Sequence, residues 1–161
     1  MRISYDEYLN LVKESFAVVE QERAKLTTAG CILAQQIDEI DLALQGVLDY
    51  DIVDDAGDAL FAVAYIASVE GLDFRKLMVE VQGKSVPQDL EKLRAAAIGV
   101  ISACAQYANY TLRKGVPPEG LFRRHERTLV IFLMQLKPFL AIEGKDLDDA
   151  IDKNILKLKN L

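Results

Sequence analysis

The chain has 161 residues, 51% of them hydrophobic, and 25 acidic against 19 basic side chains give it a net charge of −6. A single domain of this size buries roughly 70% of its unfolded surface and needs neither disulfides nor a structural metal to fold. An acidic chain with no stacking pattern of aromatics beside its arginines is not a nucleic-acid binder. Its longest apolar stretch, Ala59 to Val69, is shorter than the ~20 residues of a membrane span, and the polar Met1 to Asn10 is no signal peptide. A cytoplasmic protein without a membrane partner is expected.

The periodicity is helical almost throughout, which predicts an all-α bundle of about seven helices. Ser4 and Glu7 form a capping box for a first helix with an apolar face of Tyr8, Val12, Phe16 and Val19. The second helix spans about Lys25 to Leu44 and ends at Gly46, and a short Asp-rich turn leads into the third, about Asp51 to Val69, which Gly71 stops. The third is apolar nearly all round beyond Asp58, which places it at the centre of the core. Asp73 caps a short fourth helix to about Gln82. Pro87 opens a fifth that runs to Arg113, where Gly115, Pro117 and Pro118 end it. The sixth covers about Glu119 to Leu136, with Pro138 kinking or ending it, and the seventh runs from an Asp146 cap to about Asn160. Cys31 and Cys104, with no CxxC pair and no partner His, read as reduced core residues.

Between Lys25 and Arg75 there is no Lys, Arg or His, yet that segment holds ten Asp and Glu, so the remainder of the chain carries +4. A block of like charge is usually solvated, but here Leu33, Ile37, Ile40, Ile52, Leu60 and Ile66 interleave the carboxylates, as only a packed structure would require. Gln36 and Glu39 on the second helix, and Asp55 and Asp58 on the third, are i, i+3 pairs that each share a helical face. An antiparallel hairpin would bring the two pairs together. Carboxylates converging without His or Cys suit Mg²⁺ or Mn²⁺. In the alternative, Glu39 faces water, and Asp49, Asp51 and Asp54 serve only as turn and cap residues.

A weak repeat organises the helices. Val69-Glu70-Gly71-Leu72-Asp73-Phe74 and Ile142-Glu143-Gly144-Lys145-Asp146-Leu147 are the same helix-stop, helix-start junction, so helices two to four match five to seven. The chain divides on this reading into an acidic half, 4–84, and a degenerate half, 88–161. In the second copy Gln36 and Glu39 correspond to about Ala103 and Gln106, and Asp55 and Asp58 to about Thr128 and Ile131. A pseudo-dimer with one acidic half is the expectation.

Several runs resemble the MazG-like branch of the all-α nucleoside triphosphate pyrophosphohydrolases: Lys25-Leu26-Thr27-Thr28-Ala29, Gln35-Gln36-Ile37-Asp38-Glu39, Asp55-Ala56-Gly57-Asp58-Ala59-Leu60-Phe61 and Glu70-Gly71-Leu72-Asp73. That family carries EExxE on one helix and ExxD on the next, and finishes its unit with an NxxKL helix. Asn154-Ile155-Leu156-Lys157-Leu158 matches that ending, while the first copy keeps only Lys84. The double-length arrangement is similar to the family's dimeric dUTPase branch, which leaves a homodimer open. The resemblance implies a Mg²⁺-dependent hydrolase acting on a nucleoside triphosphate and releasing monophosphate and pyrophosphate. Glu39, Asp55 and Asp58 would be catalytic metal ligands, Gln36 a fourth, and Lys84, Asn154 and Lys157 would bind substrate. Two departures stand out. Gln35 and Gln36 replace the first two Glu of EExxE, and Asp55 replaces a Glu; a glutamine offers a neutral oxygen but no charge. The second function class is therefore a catalytically impaired scaffold that binds a nucleotide or a protein.

Arg113, Lys114, Arg123, Arg124, His125 and Arg127 form a basic cluster, read either as a solvated helix end or as a site for triphosphate or an acidic partner. His125, between charged neighbours, reads as a surface residue. A single His excludes a di-iron carboxylate bundle, and the Asp49 to Asp58 stretch lacks the Gly and Glu of an EF-hand.

Overall fold

A computed structural model describes residues 4–16, 22–115 and 119–160. Those residues form an all-α bundle: α1 (Tyr5–Phe16), α2 (Glu22–Leu44), α3 (Ile52–Glu70), α4 (Phe74–Gln82), α5 (Leu90–Lys114), α6 (Glu119–Ala141) and α7 (Leu147–Lys159), with no strand among them. Among the described residues, no helix is long and apolar enough to cross a membrane.

Local chemistry sets the helix ends. The Asp51 carboxylate accepts from the Val53 amide at 2.8 Å and starts α3, Asp73 accepts from Lys76 at 3.2 Å, and Asp146 with Asp149 forms a reciprocal capping box at α7. At the two matching junctions, Gly71 (φ 71°) and Gly144 (φ 65°) take the left-handed conformation, and the following amides close back on Ala67 and Leu140 at 2.8 and 3.1 Å.

Three boundaries differ from expectation. Helix α2 begins at Glu22, one turn earlier than the sequence suggests. Pro87 stays in an irregular segment, and Asp89 starts α5 by accepting from the Lys92 amide at 3.1 Å. Helix α6 runs through Pro138 to Ala141, because Phe139 and Leu140 just beyond it are completely buried and hold the last turn in place. Val19, Pro117 and Pro118 lie outside the described residues.

Helix α3 is the centre of the molecule. Ala62 to Ala67 are all buried, and α1, α2, α4, α6 and α7 all pack on it. The list of packed pairs is unchanged when α2, α3 and α4 are exchanged for α5, α6 and α7: α2–α3 answers to α5–α6, α3–α7 to α6–α4, α3–α4 to α6–α7, while α2–α5 and α3–α6 map onto themselves. Only α1, packed on α3 and α7, has no counterpart. Helix α4 thus covers α6 and α7 covers α3, which brings α7 over the acidic end of α3.

Candidate functional site

The acidic end of α3 is built from three helices. Gly57 allows α7 to come close, since a Cβ there would lie 2.8 Å from the Ala150 carbonyl oxygen and 3.2 Å from the Asn154 Cβ. With α7 that near, its polar row meets the acidic row of α3. Lys153 pairs with Asp51, and Lys157 Nζ reaches Asp58 Oδ2 at 2.6 Å and Asp54 Oδ2 at 3.3 Å. Asn154 Nδ2 donates to Asp58 Oδ1 at 3.0 Å, and the buried Tyr8 hydroxyl donates to Asn154 Oδ1 at 3.1 Å. Every Asp58 oxygen is engaged, and helix α1 props the asparagine from behind.

Asp55 has no such support. It is 4% exposed, and its Oδ2 has no hydrogen-bond partner. Burial first, then the neighbouring charges of Glu39, Asp54, Asp58 and Asp51, push its carboxyl up to about 7. Burial also raises Asp58, opposed by the Lys157 ammonium. Lys157 itself is drawn down by burial and held up more strongly by Asp58 and Asp54, so its net shift is upward. The Tyr8 hydroxyl is raised well above its ordinary value by burial and by Asp58.

On α2, Gln36 is buried with its Oε1 also without a partner, and half-buried Glu39, one turn on, accepts from Gln35 Nε2 at 3.0 Å and adds its charge to Asp55 and Asp58. The structure therefore gathers Glu39, Asp55, Asp58, Asn154 and Lys157 at one place. Lys84 lies elsewhere, at the end of α4, paired with Glu80 at 3.1 Å beside α6. Oxygen donors with two orphaned buried atoms match a hard divalent cation in kind. In the arrangement observed, no three His, Cys, Asp or Glu side chains among the described residues stand together closely enough to hold a metal ion.

Asp54, Lys153 and Tyr8 were not marked out by the sequence reading. Asp54 belongs to the network rather than to a bland turn, and the clue was complementary spacing: Asp51, Asp54 and Asp58 on one helix face Lys153 and Lys157 on another.

Two single-residue readings are overturned. His125 is not on the surface; it is 1% exposed, with Nδ1 2.5 Å from Oε2 of the equally buried Glu70, because the α6 register turns it inward against α3 and the Tyr107 ring. Burial raises the Glu70 carboxyl, and the His125 contact opposes that shift. Cys31 is exposed, lining an open groove between α2 and α5, whereas Cys104 is buried and its thiol is pushed up to about 12 by burial and then by Glu70. The side chains of Arg113 and Lys114 lie outside those described. No known protein family, curated protein or solved structure matches the chain.

Proposed function

We propose that the chain is a cytoplasmic, Mg²⁺-dependent nucleoside triphosphate pyrophosphohydrolase, built as a pseudo-duplicated MazG-like unit with one acidic site. The observation that carries the reading is Asp55. A buried carboxylate with an orphaned oxygen, pushed toward neutrality by burial and then by four neighbouring acids, is costly to the fold unless a cation or a proton is part of its working state. Mg²⁺ commonly takes one or two protein carboxylates and completes its sphere with water and substrate phosphates. A pre-assembled cage of three carboxylates is therefore not required.

Glu39, Asp55 and Asp58 would hold the ion, with Gln36 Oε1 as a neutral donor. Such an ion supplies phosphate charge neutralisation and a more acidic bound water. The protein's own part is separable. One of these carboxylates can also orient the attacking water and take up its proton. Lys157 and Asn154 flank Asp58, where they can take phosphate oxygens as the α–β anhydride bond breaks and pyrophosphate departs.

The impaired-scaffold reading has its own support in Gln36, which carries no charge, and in Asp58, which Lys157 already neutralises. One assay separates the two. A panel of nucleoside and deoxynucleoside triphosphates with Mg²⁺ or Mn²⁺ is followed by pyrophosphate release, alongside Asp58→Asn and Gln36→Glu. The enzyme reading expects turnover that Asp58→Asn lowers by a factor on the order of 10² and Gln36→Glu maintains or raises. Binding of a triphosphate without turnover in any pairing would establish the scaffold.

A further inference from the structure

The exchange of helices that places α7 over α3 also places α4 over α6, and there the charges are reversed. In the register set by Gly71 and Gly144, Lys84 occupies the position of Lys157, Arg127 that of Asp54 and Ile131 that of Asp58. Where Lys157 meets two carboxylates, Lys84 shares a cleft of about 540 Å³ with Arg123 and Arg127. Such a volume lies within the roughly 300–1,000 Å³ of small-molecule sites.

Most of the charge around this cleft is already compensated. Lys84 pairs with Glu80 at 3.1 Å, and Lys76 approaches Glu126 at 4.0 Å. Arg124 points away and donates to Gln106 at 2.9 Å. Arg123 and Arg127 remain, both lining the cleft, neither with a hydrogen bond or ion pair among the described residues, and four apart on one face of α6, where like charges repel. The α4 end of the cleft is fixed by Lys137, whose ammonium donates to the carbonyls of Val81, Gln82 and Lys84 at 2.8, 3.2 and 2.5 Å. Glu80 and Glu126 line the same cleft but are engaged by Lys84 and Lys76, so the two forked cations, on a wall beside that braced end and without a carboxylate partner of their own, suit a multiply charged anion with closely spaced oxygens.

We propose that the α4–α6 cleft is a second ligand site, separate from the acidic one, which binds a polyphosphate group through Arg123 and Arg127 with Lys84 at its edge. Arg123 and Arg127 take phosphate oxygens in bidentate fashion, and the repulsion between them is relieved on binding. The ligand is a nucleotide's phosphate chain or a free inorganic polyphosphate.

Calorimetric titration of the full chain in EDTA, which removes divalent metal from the acidic site, tests this without requiring turnover and so independently of the hydrolase reading. Sodium tripolyphosphate should bind saturably, and more weakly as salt rises. Arg123→Gln with Arg127→Gln should weaken it by about tenfold or more, and Arg123→Lys with Arg127→Lys should retain part of the affinity. ATP binding within a few-fold of tripolyphosphate assigns the site to the phosphate chain alone, and ATP tighter by about tenfold assigns it to a nucleotide. No saturable binding at millimolar tripolyphosphate, an affinity unmoved by the double glutamine variant, or a poly-glutamate peptide that outcompetes tripolyphosphate would each overturn the proposal.

Discussion

Replacing Asp55 with Asn isolates the cost of the acidic site. The carboxyl titrates near 7 in the folded chain against an ordinary value of 3.8, so the folded state holds a proton that the unfolded state has released. Its effect on stability is absent below the unfolded value, grows unfavourably as pH rises through the interval, and is constant above the folded value. At about 1.4 kcal/mol per pH unit, the interval amounts to about 4 kcal/mol. For a chain of this size that corresponds to a melting temperature lower by roughly 8–16 °C at pH 8 than at pH 4 from this group alone. Asp51 and Asp41 act in the opposite direction. Lys153 holds the first carboxyl down and Gln45 with Arg94 the second, so their contributions are lost as pH falls through their folded values. They are common to parent and variant and cancel in the difference. Asn at position 55 cannot ionise. The variant should therefore melt several degrees above the parent at pH 8 and no higher than it at pH 4, read by circular dichroism at pH steps with urea midpoints as a check. Millimolar Mg²⁺ should narrow the gap at pH 8 by stabilising the parent alone. Parallel melting curves for the two proteins from pH 4 to 8 would refute the claim that Asp55 is buried without compensation.

Gly57→Ala places a methyl against the Ala150 carbonyl, so α7 must move away from α3; a stability loss of about 1–3 kcal/mol by urea unfolding is expected, together with weaker Mn²⁺–nucleotide binding in calorimetry. Glu70→Leu or His125→Leu alone strands one member of a buried pair and should cost about 3–5 kcal/mol, while the double leucine variant should recover most of it; equal losses in all three would show that packing rather than pairing sets the cost. Lys157→Met removes the ammonium held between Asp54 and Asp58, so metal alone should bind more tightly and a triphosphate more weakly, two changes of opposite sign in the same titration.

The helices, and the starts of α3, α4 and α7, were legible because their signals are local. Asp51, Asp73 and Asp146 each cap the helix that follows, and an i, i+3 spacing suffices to place Gln36 with Glu39 and Asp55 with Asp58 on shared faces. What was misread depends on which face of a helix meets which neighbour. His125 sits among arginines in sequence, yet the turn of α6 aims it at Glu70, a residue remote in the chain, and no local pattern reports that partner. Cys31 lies in an apolar run, but it lines an open groove between α2 and α5 instead of being covered by either helix, which leaves it exposed. Pro138 carries a strong local signal to end a helix, and the burial of Phe139 and Leu140 overrides it. Asp54 looked like a turn residue because its partner, Lys157, belongs to the last helix.

The charge block gains its meaning from that same distance. The acids between Lys25 and Arg75 have no cation within their own segment, so every neutralising contact is long-range: Arg94 from α5 reaches Asp41 at 2.8 Å, and Lys153 and Lys157 from α7 reach Asp51, Asp54 and Asp58. Within the site at the acidic end of α3, Glu39 and Asp55 are left without an ion pair among the described residues. Compensation is complete at the rim of the cluster and missing in its interior, so an added cation gains most at Asp55, where its charge is unopposed and the dielectric is low. At Asp58 a divalent ion has to compete with Lys157, and success there would release an ammonium that is already 46% exposed and one side-chain length from the site. The exchange replaces one positive charge with two at the carboxylate and frees the displaced one for phosphate. On the hydrolase reading, metal and substrate binding are thereby coupled through a single lysine, supplied by α7 where it packs on α3.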